Sequence, residues 1–166
     1  MPTEGFTFSL VEGHKVDGRA IGFLEQMTAD GGIGSSWLGA KKKFISLRGN
    51  KERHVRKRFD LWLAFGRNDH WFHGWPNDEE VKDCFCFKWE EGGNRRNRLY
   101  GFLCHPQPKT NASRQVCVLA LHQMKNDWST DRTLLRQVAA LKRNKGVQAS
   151  IAFIFSDNPA SGGKLQ

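Results

Sequence analysis

Residues 84–122 read CFCFKWEEGGNRRNRLYGFLCHPQPKTNASRQVCVLALH. The first six, CFCFKW, alternate with a period of two, so Phe85, Phe87 and Trp89 share one side and Cys84, Cys86 and Lys88 the other, as in a strand. EEGGN at 90–94 is a hairpin signal. RRNRLYGFLCH at 95–105 is the return strand, with Arg98, Tyr100, Phe102 and Cys104 on a common face. A polar loop at 106–113 leads to QVCVLALH at 115–122, a third, nearly continuous apolar strand. Three consecutive strands with short connections form an antiparallel meander.

Upstream, Val55, Phe59, Trp62 and Leu63 recur at helical spacing and mark one apolar stripe. Asn50 is placed to cap that helix and Gly66 to end it. Arg53, Arg56, Lys57 and Arg58 fall mostly off the stripe, so the helix docks by its aromatic side and holds its cations in water. Residues 5–11 (GFTFSLV) alternate as a first strand, and 16–28 show a short helical pattern through Ile21, Phe23, Leu24 and Met27. ADGGIGSS at 29–36 is read as a flexible connection, since it lacks the Lys-Ser/Thr ending of a phosphate-binding loop. Downstream, 128–144 is helical, with Ser129 or Thr130 as cap, Asp131 at the positive end and a stripe of Leu134, Leu135, Val138 and Leu141. Gly146 closes it, 147–155 (VQASIAFIF) reads as a last strand, and 156–166 as a flexible tail. The expectation is one α+β domain over 1–155, with an N-terminal extension and a basic helix.

Charge is concentrated. Lys41, Lys42, Lys43, Arg48, Lys51, Arg53, Arg56, Lys57 and Arg58 lie within eighteen residues that hold a single acid, Glu52, while the whole chain of 166 residues is only +9. The remainder is close to neutral. A concentrated basic segment is a field with a direction, and its natural partner is a polyanion that releases counterions on binding. A solvated helix face gives the same pattern, and acidic membrane or protein surfaces compete with nucleic acid as partners. Nucleic acid is ranked first. No apolar run approaches the roughly 18 residues of a membrane span. The first fourteen residues show neither a basic nor a long apolar region, so no signal peptide is expected. Four cysteines in apolar stretches do not form the dense framework of a small secreted scaffold, and a reduced, cytoplasmic protein is expected.

Candidate chemistry gathers at one end of the meander. Lys88 ends one strand, Arg95, Arg96 and Arg98 open the next, and His122, Lys125 and Asn126 end the third. Arginine forks suit phosphate, lysine acts as a point charge, and a histidine among cations can move protons. Such a set suits metal-independent RNA cleavage, in which a 2′-hydroxyl attacks the adjacent phosphate and cations stabilise the dianionic transition state. A hairpin with ordinary exposed arginines is the alternative. A second set is metal-like: His70 and His73, Cys84 and Cys86, and Cys104–His105. Structural zinc more often takes Cys-x-x-Cys, and free cysteine behaves as a small core residue, so core packing is favoured and no metal or other cofactor is expected. Trp71, Phe72 and Trp75 offer either a base-stacking platform or a satellite hydrophobic cluster.

From 58 to about 144, the order is basic helix, apolar hairpin, Arg-Leu-Tyr at Arg98–Tyr100, apolar strand, Gln-Met-Lys-Asn at Gln123–Asn126, then helix. It resembles the RelE/HigB superfamily of bacterial toxins in its phage-derived branch. The resemblance implies a twisted antiparallel sheet of about four strands with helices packed on one face. It implies ribosome-associated endonucleolytic cleavage of mRNA and neutralisation by an antitoxin. Carried over by position, Lys88 and Arg98 hold phosphate, and His122 and Lys125 line the site. The chain departs from the family by its length, chiefly at 66–83, and by having no catalytic tyrosine or histidine after Asn144. A non-catalytic nucleic-acid- or ribosome-binding protein of the same fold is the runner-up. A phage or mobile-element regulator binding an acidic host protein is the third reading.

Overall fold

The expected meander is the centre of the molecule. A computed structural model describes residues 5–16, 18–27, 38–66, 72–93, 95–111, 113–125, 127 and 129–156. In it β1 (Phe6–Val16) and β2 (Arg19–Gln26) precede α1 (Ala40–Ser46) and α2 (Gly49–Phe65). The short β3 (His73–Gly74), then β4 (Cys84–Glu90), β5 (Arg96–Cys104) and β6 (Gln115–Lys125) follow, and α3 (Arg132–Arg143) and α4 (Lys145–Ile154) end the described chain. The strand order is β1-β2-β6-β5-β4-β3. Only β2 and β6 pair in parallel, while the other neighbours are antiparallel.

The α+β class holds, but the sheet is larger than expected and is mixed: six strands rather than about four antiparallel ones. Helices cover both faces rather than one. Phe44, Val55, Phe59, Trp62 and Leu63 of α1 and α2 join Ile21, Phe23, Phe85, Phe87, Leu99 and Leu119 in one core. Leu135, Val138, Val147 and Ile151 of α3 and α4 join Leu24, Cys84, Cys86, Tyr100, Phe102 and Val118 in the other. The alternation of β4 and β5 therefore serves two cores, one per face.

Two elements differ from the sequence reading for one reason. Residues 16–28 contain β2 instead of a helix, and 147–155 lie mostly in α4 instead of a strand. Strand β2 sits between β1 and β6 with Ala20, Ile21, Phe23 and Leu24 all buried, and a strand covered on both faces loses its polar alternation. Gly22 is needed there, because a Cβ would stand 2.3 Å from the ring of Phe8 and 2.7 Å from the Ser9 carbonyl oxygen. Along α4 and its C-cap, Val147, Ile151 and Phe155 are buried at four-residue spacing, and Asn144 accepts from the Gly146 and Val147 amides at 2.8 and 3.1 Å. Short apolar runs fit either period. The caps also shift. Helix α3 is capped by Asp131, which accepts from the Leu134 amide, and not by Ser129 or Thr130. Helix α2 begins at Gly49 with Arg48 at the cap position, so Asn50 lies inside its first turn. Its stripe and its Gly66 end, at φ 78°, are as expected. The glycine-rich 29–36 and the 157–166 tail lie outside the described residues.

Candidate nucleic-acid interface

Strand β6 carries an extra residue opposite Tyr100. Tyr100 pairs with Leu121 but Gly101 pairs with Leu119, leaving Ala120 as a bulge. The slip is possible because residue 101 has no side chain, since a Cβ there would meet the Val118 carbonyl oxygen at 2.0 Å. Its consequence is a change of face. With strict alternation His122 shares the side of Val116 and Val118, which is that of Arg98. With the bulge, Leu121 joins that side, and His122 turns to the opposite one. Gln123 and Lys125 take the place of His122 beside Arg98 and Tyr100.

The face of α3 and α4 holds the cationic set. Lys88 lies directly opposite Arg98, and Arg96 directly opposite Lys125. Like charges placed opposite across a ladder repel. The guanidinium of Arg98, 4% exposed, donates to the Ser129 carbonyl at 2.7 Å, to the Tyr100 hydroxyl at 3.1 Å and to the Asp127 carbonyl at 3.4 Å. The Tyr100 hydroxyl donates to Gln123 Oε1 at 3.0 Å, and Gln123 in turn donates to Asp131 at 2.8 Å. Burial raises the pKa of Tyr100, against the lowering effect of Arg98, so the ring stays a phenol at neutral pH. Lys125 reaches the Ser129 hydroxyl at 2.8 Å and Asp127 at 3.6 Å. Arg98 thus fastens the turn between β6 and α3, while Lys88, Arg96 and Lys125 are only half-buried.

The other face, at the same end, holds His122. Its Nε2 lies 2.7 Å from Asn97 Oδ1, and its ring is 6.4 Å from that of Trp89. Burial first, then the charge of Lys43, pull its pKa down to about 4, with Glu91 opposing. Glu91, in the β4–β5 turn, accepts from Trp89 Nε1 at 3.0 Å and from Lys43 at 3.1 Å. His122 and Arg98 therefore stand at one end of the sheet but on its two sides.

The basic segment reaches that end through Lys43 and Arg48. Of its nine cations, Lys41 pairs with Glu25 at 3.2 Å, Lys43 with Glu91, and Arg56 with Glu52 at 2.9 Å while covering the Phe44 ring. Arg48 folds onto the Ile45 and Leu47 carbonyls, Arg53 onto Asn50, and Arg58 against His54. Lys42, Lys51 and Lys57 are exposed and make no ion pair among the described residues. Arg95, exposed in the turn, donates to the Glu91 carbonyl at 3.1 Å, and Arg96 lies 4.0 Å from Glu90. Lys43, Arg48, Lys51, Arg95 and Arg96 thus gather at or beside the β4–β5 turn.

Of the remaining candidates Cys84, Cys86 and Phe72 are core residues, while His73, Trp75 and Cys104 are partly buried and His105 is exposed. Cys84 and Cys86 share a face but are buried, and burial pushes both thiols up to about 12. No three His, Cys, Asp or Glu side chains gather as metal ligands among the described residues, and His70 lies outside them. Phe72 is stacked on Phe85 at 4.6 Å inside the core, which removes it from base stacking, and Trp75 packs edge-on to His73. Trp71 lies outside the described residues. The sequence reading gave no role to Asn97 or Glu91, and named Gln123 only within the Gln-Met-Lys-Asn element. A polar residue within an apolar strand signals Asn97, and an acid beside a basic turn signals Glu91.

No helix among the described residues is long and apolar enough to cross a membrane. Fold and site define an α+β protein with one cationic end. No family model, curated protein or solved structure matches the chain.

Proposed function

We propose that this protein is a RelE/HigB-like, metal-independent RNA endonuclease that acts with the ribosome and is restrained by a partner antitoxin. The observation that carries the reading is the face bearing Lys88, Arg96, Arg98 and Lys125, where cations oppose cations across β4, β5 and β6 beside Tyr100 and Gln123. A phosphodiester relieves that repulsion, and most of all when its phosphorus carries the added charge of the transition state. In the proposed reaction the 2′-hydroxyl gives its proton to solvent water as its oxygen attacks phosphorus, the 5′-oxygen leaves and takes a proton from water, and a 2′,3′-cyclic phosphate and a 5′-hydroxyl result. Lys88 and Lys125 contact the phosphate. Arg98 acts as a positioning residue, since its donors already hold the 127–129 turn and Tyr100. The sheet supports the resemblance through its helix-flanked meander.

One observation favours the runner-up, an RNA- or ribosome-binding protein without cleavage. The only strand-end histidine of this region faces the other side of the sheet and is held neutral.

Induced expression in bacteria with mapping of transcript 5′ ends separates the two. Growth arrest with cuts inside codons is expected, together with cleavage of mRNA by the purified protein on purified ribosomes. Lys125→Ala and Lys88→Ala should each slow cleavage by about 10²–10³-fold, the effect of removing one stabilising donor. Arrest without cuts, or no cleavage with or without ribosomes, makes the binding reading the better one.

A further inference from the structure

A cavity of about 370 Å³ opens where α1 turns into α2, bounded by Lys43, Ser46, Arg48, Asn50, Lys51 and Glu91. Three of these six are cations and one is an acid. Glu91 is an interior anion, its side chain only 10% exposed, and is held by Lys43 Nζ at 3.1 and 3.5 Å and by Trp89 Nε1 at 3.0 Å. Arg48 and Lys51 make no salt bridge among the described residues, and the charge of Lys51 acts on Glu91 only after that of Lys43. Glu52, the residue after Lys51, is engaged by Arg56. The cations also face the positive pole of a 17-residue helix whose first position has no side-chain cap. Lys43, Arg48 and Lys51 thus surround an open space with one carboxylate to balance them.

We propose that this cavity is a phosphate-binding site for an RNA backbone, in which Lys43, Arg48 and Lys51 hold the phosphate and Glu91 is the internal anion it displaces from Lys43. The inference rests on the RNA-binding reading and adds a defined subsite to it. The site lies on the opposite face of the sheet from Lys88 and Lys125 but beside the same turn, whose Arg95 already donates to the Glu91 carbonyl. A strand seated in the cavity passes over that turn to reach the other cations. Glu91 keeps Lys43 in place while the site is empty and sets a threshold against weak anions. Exchange of one anion for another on Lys43 involves no covalent change.

The signs of three substitutions separate this site from a diffuse basic surface. Titration calorimetry of the full chain with inorganic pyrophosphate, and with single-stranded RNA over a range of salt, is the test. Glu91→Gln keeps an acceptor for Trp89 and removes the competing charge, so pyrophosphate should bind about 3–10-fold tighter. Lys51→Gln, at an exposed position, should bind it about tenfold more weakly and lower the RNA salt slope by about one. Lys57→Gln, away from the cavity, should change pyrophosphate binding by less than about twofold. Pyrophosphate should also compete with RNA. Equal weakening by Lys51→Gln and Lys57→Gln, with no gain from Glu91→Gln, overturns the site. Pyrophosphate binding that leaves RNA affinity untouched overturns the RNA backbone as its occupant. RNA bound through the cavity yet never cut leaves this inference standing and removes the endonuclease reading. Cutting that ignores all three substitutions does the reverse.

Discussion

His122 shows how one side chain's surroundings decide its chemistry. Its lowered pKa, about 4 against an ordinary 6.5, means that the native imidazole is neutral at pH 7. The unfolded chain binds the proton more readily than the native one. Stability from this residue is therefore complete above about pH 6.5 and is lost progressively as pH falls towards about 4. Carboxylates held low by their partners, such as Asp78 and Asp131, add their own losses mainly beneath that window. Urea unfolding midpoints should fall with acidification in the wild type, and His122→Gln should flatten the fall above about pH 4.5. Parallel curves for the two proteins would show that the ring is not buried as described. Arg98, on the other face, is an anchor whose loss takes the donated hydrogen bond from the Tyr100 hydroxyl and leaves the Ser129 carbonyl to Lys125. Its replacement is a stability experiment before it is a catalytic one.

At the level of elements, the β5–β6 bulge is the decisive feature, and it turns on Gly101. A methyl group there has a backbone oxygen at 2.0 Å, so the strands must part or the register must move. Gly101→Ala should cost about 3 kcal/mol, the upper end for overpacking against a fixed neighbour, and should loosen the Tyr100–Gln123 hydrogen bond. A melting temperature unchanged within a degree or so would contradict the close approach of β5 and β6. Much of the architecture is legible where one face of an element meets water or where two faces differ. The stripe of Val55, Phe59, Trp62 and Leu63 and the alternation through Phe85, Phe87 and Trp89 follow from the sequence, because period and burial agree there. The fold is illegible in β2 and α4, where apolar residues run on without a polar face, and at Ala120, where no local signal announces an extra residue. Without that bulge in view, Arg98 and His122 read as one site. The cationic end itself is legible, since Lys88, Arg96, Arg98 and Lys125 fall at one end of any meander of these three strands, while the bulge decides the face that Lys125 takes.

Over the whole molecule, charge and packing are divided between ends rather than between faces. Both faces of the sheet are closed by helices, so a polyanion's natural approach is the sheet end where the β4–β5 turn, the α1–α2 junction and the end of β6 meet. The basic segment contributes there unevenly. Lys41, Lys43 and Arg56 direct their charge to Glu25, Glu91 and Glu52 and serve partly to dock the helices, whereas Lys42, Lys51 and Lys57 are exposed without ion pairs among the described residues. An internal salt bridge has already neutralised part of the field, so an unpaired lysine offers a phosphate more than a paired one does. Replacing Lys42, Lys51 and Lys57 together with glutamine should lower the slope of log affinity against log salt for single-stranded RNA by about two, at roughly 0.7 for each phosphate no longer neutralised. Unfolding should change little, since surface lysines without partners contribute within about 0.5 kcal/mol. Replacing Lys41 and Arg56 should do the opposite, with a smaller change of slope and a measurable loss of stability as Glu25 and the Phe44 ring lose their cover. If the two sets shift the salt slope equally and leave melting untouched, the division between docking and binding cations is wrong and the segment acts as an undifferentiated cloud of charge.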